Sequence, residues 1–191
     1  SAQAVTRSGG FFADWVMETT PDYLARDTTE DVIIETTLDQ DLQKKAEEAL
    51  AWVFENKVKD GSKAQAAIVV MSADGAVRAM VGGRDVPNAG DFNRATQAMR
   101  QPGSTIKPFV YSTGLDFGMT PASMILDGSF CVYQGASLGQ KCFRNFGGQG
   151  GSGEHTMRWG LEQSRNLMTV RIANDTGMDK VSKMIERVGI G

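Results

Sequence analysis

Two short apolar runs, residues 64–72 and 76–81, are joined by Asp74-Gly75. An Asp-Gly pair between two such runs leaves few options besides a tight antiparallel hairpin, because the turn needs positive φ values that Asp and Gly tolerate. Gly82-Gly83 closes the second strand. Upstream, Asp39 is a candidate N-cap for a helix that runs to about residue 59. Leu42, Ala46, Ala49, Leu50, Val53 and Phe54 recur there at three- and four-residue spacing and form one apolar stripe. Asp60-Gly61 ends that helix.

The rest of the chain is punctuated by glycine. Residues 1–24 mix Gly9-Gly10 with Phe11, Phe12, Trp15 and Tyr23 and read as a lead-in with a short helix over 12–18. Residues 31–37 are rich in β-branched side chains and predict a strand. Residues 122–153 are loop-rich, with one short strand at 130–133 and a flexible Gly-rich run at 147–153. Helical spacing returns over 156–162, breaks at Ser164-Arg165-Asn166, and returns over 167–174 and 179–187. No internal repeat is present and no boundary is evident after Thr29, so residues 31–191 read as one domain behind a lead-in of 1–30.

Composition narrows the partners. A formal charge of −3, with Lys and Arg scattered along the chain, gives no footprint for nucleic acid or an anionic membrane. The longest apolar run, residues 66–71, is far too short to span a bilayer. Cys131 and Cys142 sit close together in loop-like sequence, which leaves a disulfide and two free thiols both open. With no other cysteine and His155 as the only histidine, a Cys/His zinc site is not expected, and no cofactor is implied.

Ser104 and Lys107 carry the clearest chemistry. Pro102-Gly103 breaks the preceding segment, and residues 106–117 have helical spacing that stops at Gly118, so Ser104 falls in a first turn with Lys107 on the same face. A desolvated lysine loses part of its basicity, and its neutral amine can then take the serine proton. The positive end of the helix favours negative charge on the serine oxygen. Spacing alone is weak, because 12 Ser and 9 Lys in 191 residues give about 0.6 copies of S-x-x-K by chance. Ser164 and Asn166 form a single S-x-N at a break between helices. There a hydroxyl can relay a proton and an amide can hold a substrate amide.

Other patterns fail on context. Residues 148–153 satisfy G-x-G-x-x-G, but no strand leads into them and no βαβ unit surrounds them. Gly135-Ala136-Ser137-Leu138-Gly139 matches a nucleophile elbow, yet no helix follows Ser137 and no Asp lies between it and His155. The chain also lacks the strand–helix alternation of that fold, and His155 reads as a polar residue near a helix start.

S-x-x-K followed by S-x-N is a signature shared by penicillin-binding proteins and serine β-lactamases. Longer stretches extend the match. Residues 32–39, 65–67, 75–84, 92–98 and 100–104 resemble the transpeptidase domain of bifunctional, class A penicillin-binding proteins. Phe11 to Trp15 resembles the linker that follows their glycosyltransferase domain. The resemblance implies an α+β transpeptidase fold, an antiparallel sheet flanked by helices, incomplete at the C-terminus. It also implies Ser104 as the acylated nucleophile, Lys107 as its base, Ser164 and Asn166 as the second motif, and the Ser104 N–H as half of an oxyanion hole. Asn145 lies where the family carries a substrate-facing asparagine. The implied partners are D-Ala-D-Ala stem peptides of peptidoglycan and the β-lactams that mimic them. The implied place is the periplasmic face of the cytoplasmic membrane, with the anchor in a segment outside this sequence.

No K-T-G occurs anywhere in the chain, and Lys180 and Lys183 fall in a predicted helix. The expectation is that a C-terminal remainder of the same protein carries that motif and lies beside the strand at 68–71, which is otherwise an open edge. A β-lactamase or β-lactam sensor is the alternative within the family, although Glu186 lacks the E-x-x-x-N context of a deacylating glutamate. A non-catalytic module that keeps the fold is the alternative outside it.

Overall fold

The structure, a computed structural model, describes residues 8–25, 27 and 29–190. Residues 1–7 of the lead-in lie outside the described residues. The chain divides into two compact units, Ser1–Arg100 and Gln101–Gly191. The sequence reading draws no boundary at this point.

In the first unit, α1 (Gly10–Thr19) is followed by α2 (Asp22–Ala25) and α3 (Gln40–Asn56). Strands β1 (Ile68–Met71) and β2 (Val77–Val81) form the expected hairpin, antiparallel with Ile68 opposite Val81. Gly75 N–H donates to the Ser72 carbonyl at 2.9 Å to close the turn. Asp39 caps α3, its carboxylate accepting from Leu42 N–H at 3.0 Å. Ala46, Leu50 and Phe54 pack on Ala79 and Val81 to make this unit's core. The lead-in contributes as well, since Phe11 and Phe12 of α1 are buried.

The apolar stripe of α3 is narrower than its sequence spacing predicts. The buried row is Gln43, Ala46, Leu50 and Phe54, while Leu42 and Val53 are exposed. A two-stranded sheet is a narrow platform, so only one seam of the helix finds cover. Gln43 belongs to that seam because its amide matches a peptide group. Its Oε1 accepts from Met80 N–H at 2.8 Å and its Nε2 donates to the Met80 carbonyl at 3.0 Å, which seals the outer edge of β2. Residues 31–37, expected as a strand, run without ladder pairing. The β2 edge they approach is already taken by Gln43 and by Asp39 N–H, which donates to the Arg78 carbonyl at 2.8 Å. Ile33 is left 91% exposed, a reminder that β-branched composition describes a side chain's preference and does not supply a partner strand.

In the second unit a 3-10 turn over Gly103–Ile106 leads straight into α4 (Lys107–Asp116). Strands β3 (Met124–Asp127) and β6 (Gly153–Thr156) pair antiparallel, and between them β4 (Phe130–Tyr133) and β5 (Gln140–Phe143) form a second ribbon. Helices α5 (Met157–Glu162), α6 (Asn166–Thr176) and α7 (Met178–Arg187) follow. Val110, Tyr111, Ile125, Met157, Met168, Ile172, Ala173 and Val181 form the core. The open question at the cysteines is answered by a disulfide between Cys131 and Cys142, which face each other across β4 and β5. The Gly135 to Gly139 elbow pattern is the turn of that ribbon, closed by Gly139 N–H on the Gly135 carbonyl at 2.8 Å.

The architecture is α+β as expected, with its antiparallel pairing spread over three two-stranded sheets among the described residues. No helix among the described residues is long and apolar enough to cross a membrane.

Candidate active site

Lys107 is the first residue of α4, and it is buried although it is charged in ordinary water (5% exposed). Its ammonium reaches back to the turn between α5 and α6. Nζ donates to the Ser164 carbonyl at 2.6 Å, to Ser164 Oγ at 3.0 Å and to Asn166 Oδ1 at 2.7 Å. All three donors of the group are therefore used. Burial lowers the Lys107 pKa from its ordinary value of 10.5, because an apolar surrounding disfavours the charged form.

The orientation of Asn166 follows from its second partner. Its Nδ2 donates to the Arg144 carbonyl at 3.0 Å. A carbonyl can only accept, so the amide nitrogen must face Arg144 and the amide oxygen must face Lys107.

Ser164 owes its place to the way α5 ends. Its N–H donates to the Leu161 carbonyl at 3.0 Å and the Arg165 N–H to the Gly160 carbonyl at 2.9 Å. That pair of bonds is a Schellman cap, in which the residue at C′ must be left-handed. Ser164 has φ 51°, and it is the only non-glycine residue with positive φ among the described residues. The turn aims both its carbonyl and its hydroxyl at Lys107.

Ser104 lies in the 3-10 turn ahead of α4 and is exposed. Its carbonyl accepts from Lys107 N–H. No hydrogen bond joins its hydroxyl to Lys107 Nζ among the described residues, and that ammonium is held by Ser164 and Asn166.

Asn145, expected to face substrate, is 4% exposed and bonded within the protein. Its Nδ2 donates to Asp127 Oδ1 at 2.9 Å and to the Gly150 carbonyl at 3.0 Å, and its Oδ1 accepts from Leu167 N–H at 3.2 Å. The group it leans on, Asp127, is absent from the sequence reading. Burial pushes the Asp127 pKa up, but Arg165, Asn145 and Ser152 outweigh it and hold the carboxyl below its ordinary value of 3.8. Arg165, read from sequence as the variable middle of S-x-N, donates to Asp127 Oδ2 through Nη2 at 2.6 Å. The one local signal for it in the sequence is an acid at the end of an apolar run, Met124-Ile125-Leu126-Asp127. His155 stacks on Trp159 at 3.6 Å and touches Ser152 Oγ through Nε2 at 2.9 Å, with no hydrogen bond to Lys107, Ser164 or Asn166 among the described residues.

The α+β chain thus joins a buried lysine, held by S-x-N, to an exposed serine three residues before it. The sequence model described as "Penicillin binding protein transpeptidase domain" matches residues 66–191, and the chain belongs to that family. It is 45% identical over 125 residues to penicillin-binding protein 1A of Rickettsia prowazekii, a match over 65% of this chain and 16% of that protein. The chain thus spans about one sixth of that relative's length. The solved structure of the penicillin-binding protein PonA1 from Mycobacterium tuberculosis is similar over 96% of this chain and 45% of its own, at 25% identity and a TM-score of 0.77. The structure of PonA1 in complex with penicillin V is similar over 83% of this chain and 39% of its own, at 28% identity and a TM-score of 0.67.

Proposed function

We propose that this chain supplies the serine, the base and the second motif of a peptidoglycan DD-transpeptidase. The observation that carries the reading is the triple hold on Lys107 Nζ by the Ser164 carbonyl, Ser164 Oγ and Asn166 Oδ1. A neutral amine keeps two hydrogens and one lone pair. The carbonyl and the amide oxygen accept only, so they claim the two hydrogens, and the lone pair is left to the hydroxyls. Burial favours that neutral form.

In this reading Ser104 Oγ attacks the carbonyl carbon of the penultimate D-Ala while its proton passes to Lys107 Nζ. The tetrahedral intermediate collapses as the C–N bond to the terminal D-Ala breaks. That amine leaves with the proton, relayed from Lys107 through Ser164 Oγ, and an ester on Ser104 remains. An amine of a second stem peptide then attacks the ester, forms the crosslinking amide, and returns a proton to Ser104. A β-lactam opens on Ser104 by the same first step. The Ser104 N–H donates to the developing oxyanion. The K-T-G strand belongs to a part of the protein outside this sequence. The protein works at the periplasmic face of the cytoplasmic membrane, an oxidising compartment in which the Cys131–Cys142 bridge persists.

The test is mass spectrometry of the intact protein carrying this sequence, with peptide mapping after exposure to benzylpenicillin. One adduct on Ser104, lost in Ser104→Ala, is the expected result. A folded protein without an adduct, or with one on another residue, overturns the reading.

A further inference from the structure

Residues 164–167 are gripped from two sides in strict alternation. Ser164 and Asn166 hold Lys107. Arg165 and Leu167 are held by a buried acid–amide pair that never touches Lys107: the Arg165 guanidinium bonds Asp127, and Leu167 N–H bonds Asn145 Oδ1. Asp127 has a side chain with no exposed surface, and its two oxygens accept from Arg165 Nε and Nη2, Asn145 Nδ2, Ser152 N–H and Ser152 Oγ. The end of β3, the end of β5, the Gly-rich loop and the S-x-N turn therefore converge on one carboxylate. The packing leaves no slack, since a Cβ on Gly151 would lie 1.9 Å from the Asp127 carbonyl oxygen.

We infer that Asp127 and its partners Arg165 and Asn145 are positioning residues for acylation, clamping the S-x-N turn in the strained conformation that aims Ser164 and Asn166 at Lys107. The inference rests on the acyl-transfer reading above for its kinetic arm only. A left-handed serine persists only where its surroundings over-determine it, and the clamp on the residues that flank it meets that need. A buried ion pair is often no more stabilising than apolar packing, so its presence here fits orientation better than stability. It acts through geometry, because burial alone accounts for the lowered basicity of Lys107. Asn145 thereby changes role, from a residue that meets substrate to one that fixes the residue after Asn166.

The test compares wild type with Asp127→Asn/Arg165→Met, which removes both charges together, in the intact protein. Two quantities are read: the acylation rate constant with its preceding dissociation constant for benzylpenicillin, and the side-chain NMR resonance of Lys107. The expected result is a rate constant lower by about 10- to 100-fold, since small misplacements of catalytic groups cost that much. The dissociation constant stays within about twofold, and the Lys107 resonance moves. Arg165→Lys keeps the charge and loses the planar fork, and it shifts both readouts in the same direction by less. If the double variant fails to fold, Arg165→Lys decides alone. A folded variant with wild-type rate constant and an unmoved Lys107 resonance overturns the inference, as does weakened binding with an unchanged rate constant. Should wild type show no adduct on Ser104, the functional reading falls and the Lys107 resonance still decides: moved supports the clamp, unmoved overturns it.

Discussion

Helices α4 and α5 end in the same hydrogen-bond pattern with different residues at the critical position. At the end of α4, Gly118 N–H bonds the Leu115 carbonyl and Met119 N–H bonds the Gly114 carbonyl, with Gly118 at φ 97°. Helix α7 repeats the pattern with Gly189 at φ 78°. At the end of α5 the same two bonds form around Ser164. Glycine occupies this site at no steric cost, whereas a residue with a Cβ pays about 1 kcal/mol or more for the left-handed region. The two glycine caps stop a helix and carry no side chain that could bond elsewhere. The serine cap also stops a helix, and its strain is offset by a hydroxyl and a carbonyl placed on Lys107. One copy of a repeated device departs from glycine, and it is the copy that holds Lys107, which fits the role proposed for Ser164.

Lys107→Met gives the largest expected effect. Under the proposed mechanism, loss of the general base lowers the rate constant for acylation of Ser104 by roughly 10²- to 10⁴-fold, measured by single-turnover adduct formation. A smaller kinetic loss accompanies Ser164→Gly, which turns the α5 cap into a copy of the α4 cap. Its melting temperature should stay level or rise, from relief of about 1 kcal/mol of strain, while acylation falls. A variant that is destabilised and still acylates normally would break the comparison. Gly118→Ala is the reciprocal change, with the smallest effect. It costs about 1 kcal/mol in denaturant unfolding and leaves acylation per folded molecule as in wild type.

What could be read from the sequence was local. The cap at Asp39, the Asp74-Gly75 hairpin, the helices and the break at 164–166 each depend on neighbours a few residues away, and each is found in the structure. Lys107 and the second motif were legible because a short spacing survives in the sequence even though the contact spans 57 residues. The clamp was not. Asp127 meets Asn145, Ser152 and Arg165 at separations of 18, 25 and 38 residues, and nothing in the spacing of those residue types announces it. Strands β3, β5 and β6 have four residues each, too few to show a period, whereas the run at 31–37 has the β-branched composition of a strand and finds no ladder partner.

The most direct test sets the pH profile of Ser104 acylation beside the titration of Lys107 followed by NMR in the same protein. Because burial lowers the native pKa of this lysine from 10.5, the native state binds fewer protons than the unfolded chain between the two values. Lys107 therefore costs stability at low and neutral pH, and that cost is recovered as pH rises through the native pKa towards 10.5. The neutral amine, which takes the Ser104 proton in the proposed mechanism, appears over the same interval. The account predicts that the acylation rate constant rises with pH to a plateau, with a midpoint below 10.5 that coincides with the Lys107 titration. A lysine that titrates at its ordinary value, or a rate constant indifferent to its protonation, would contradict it.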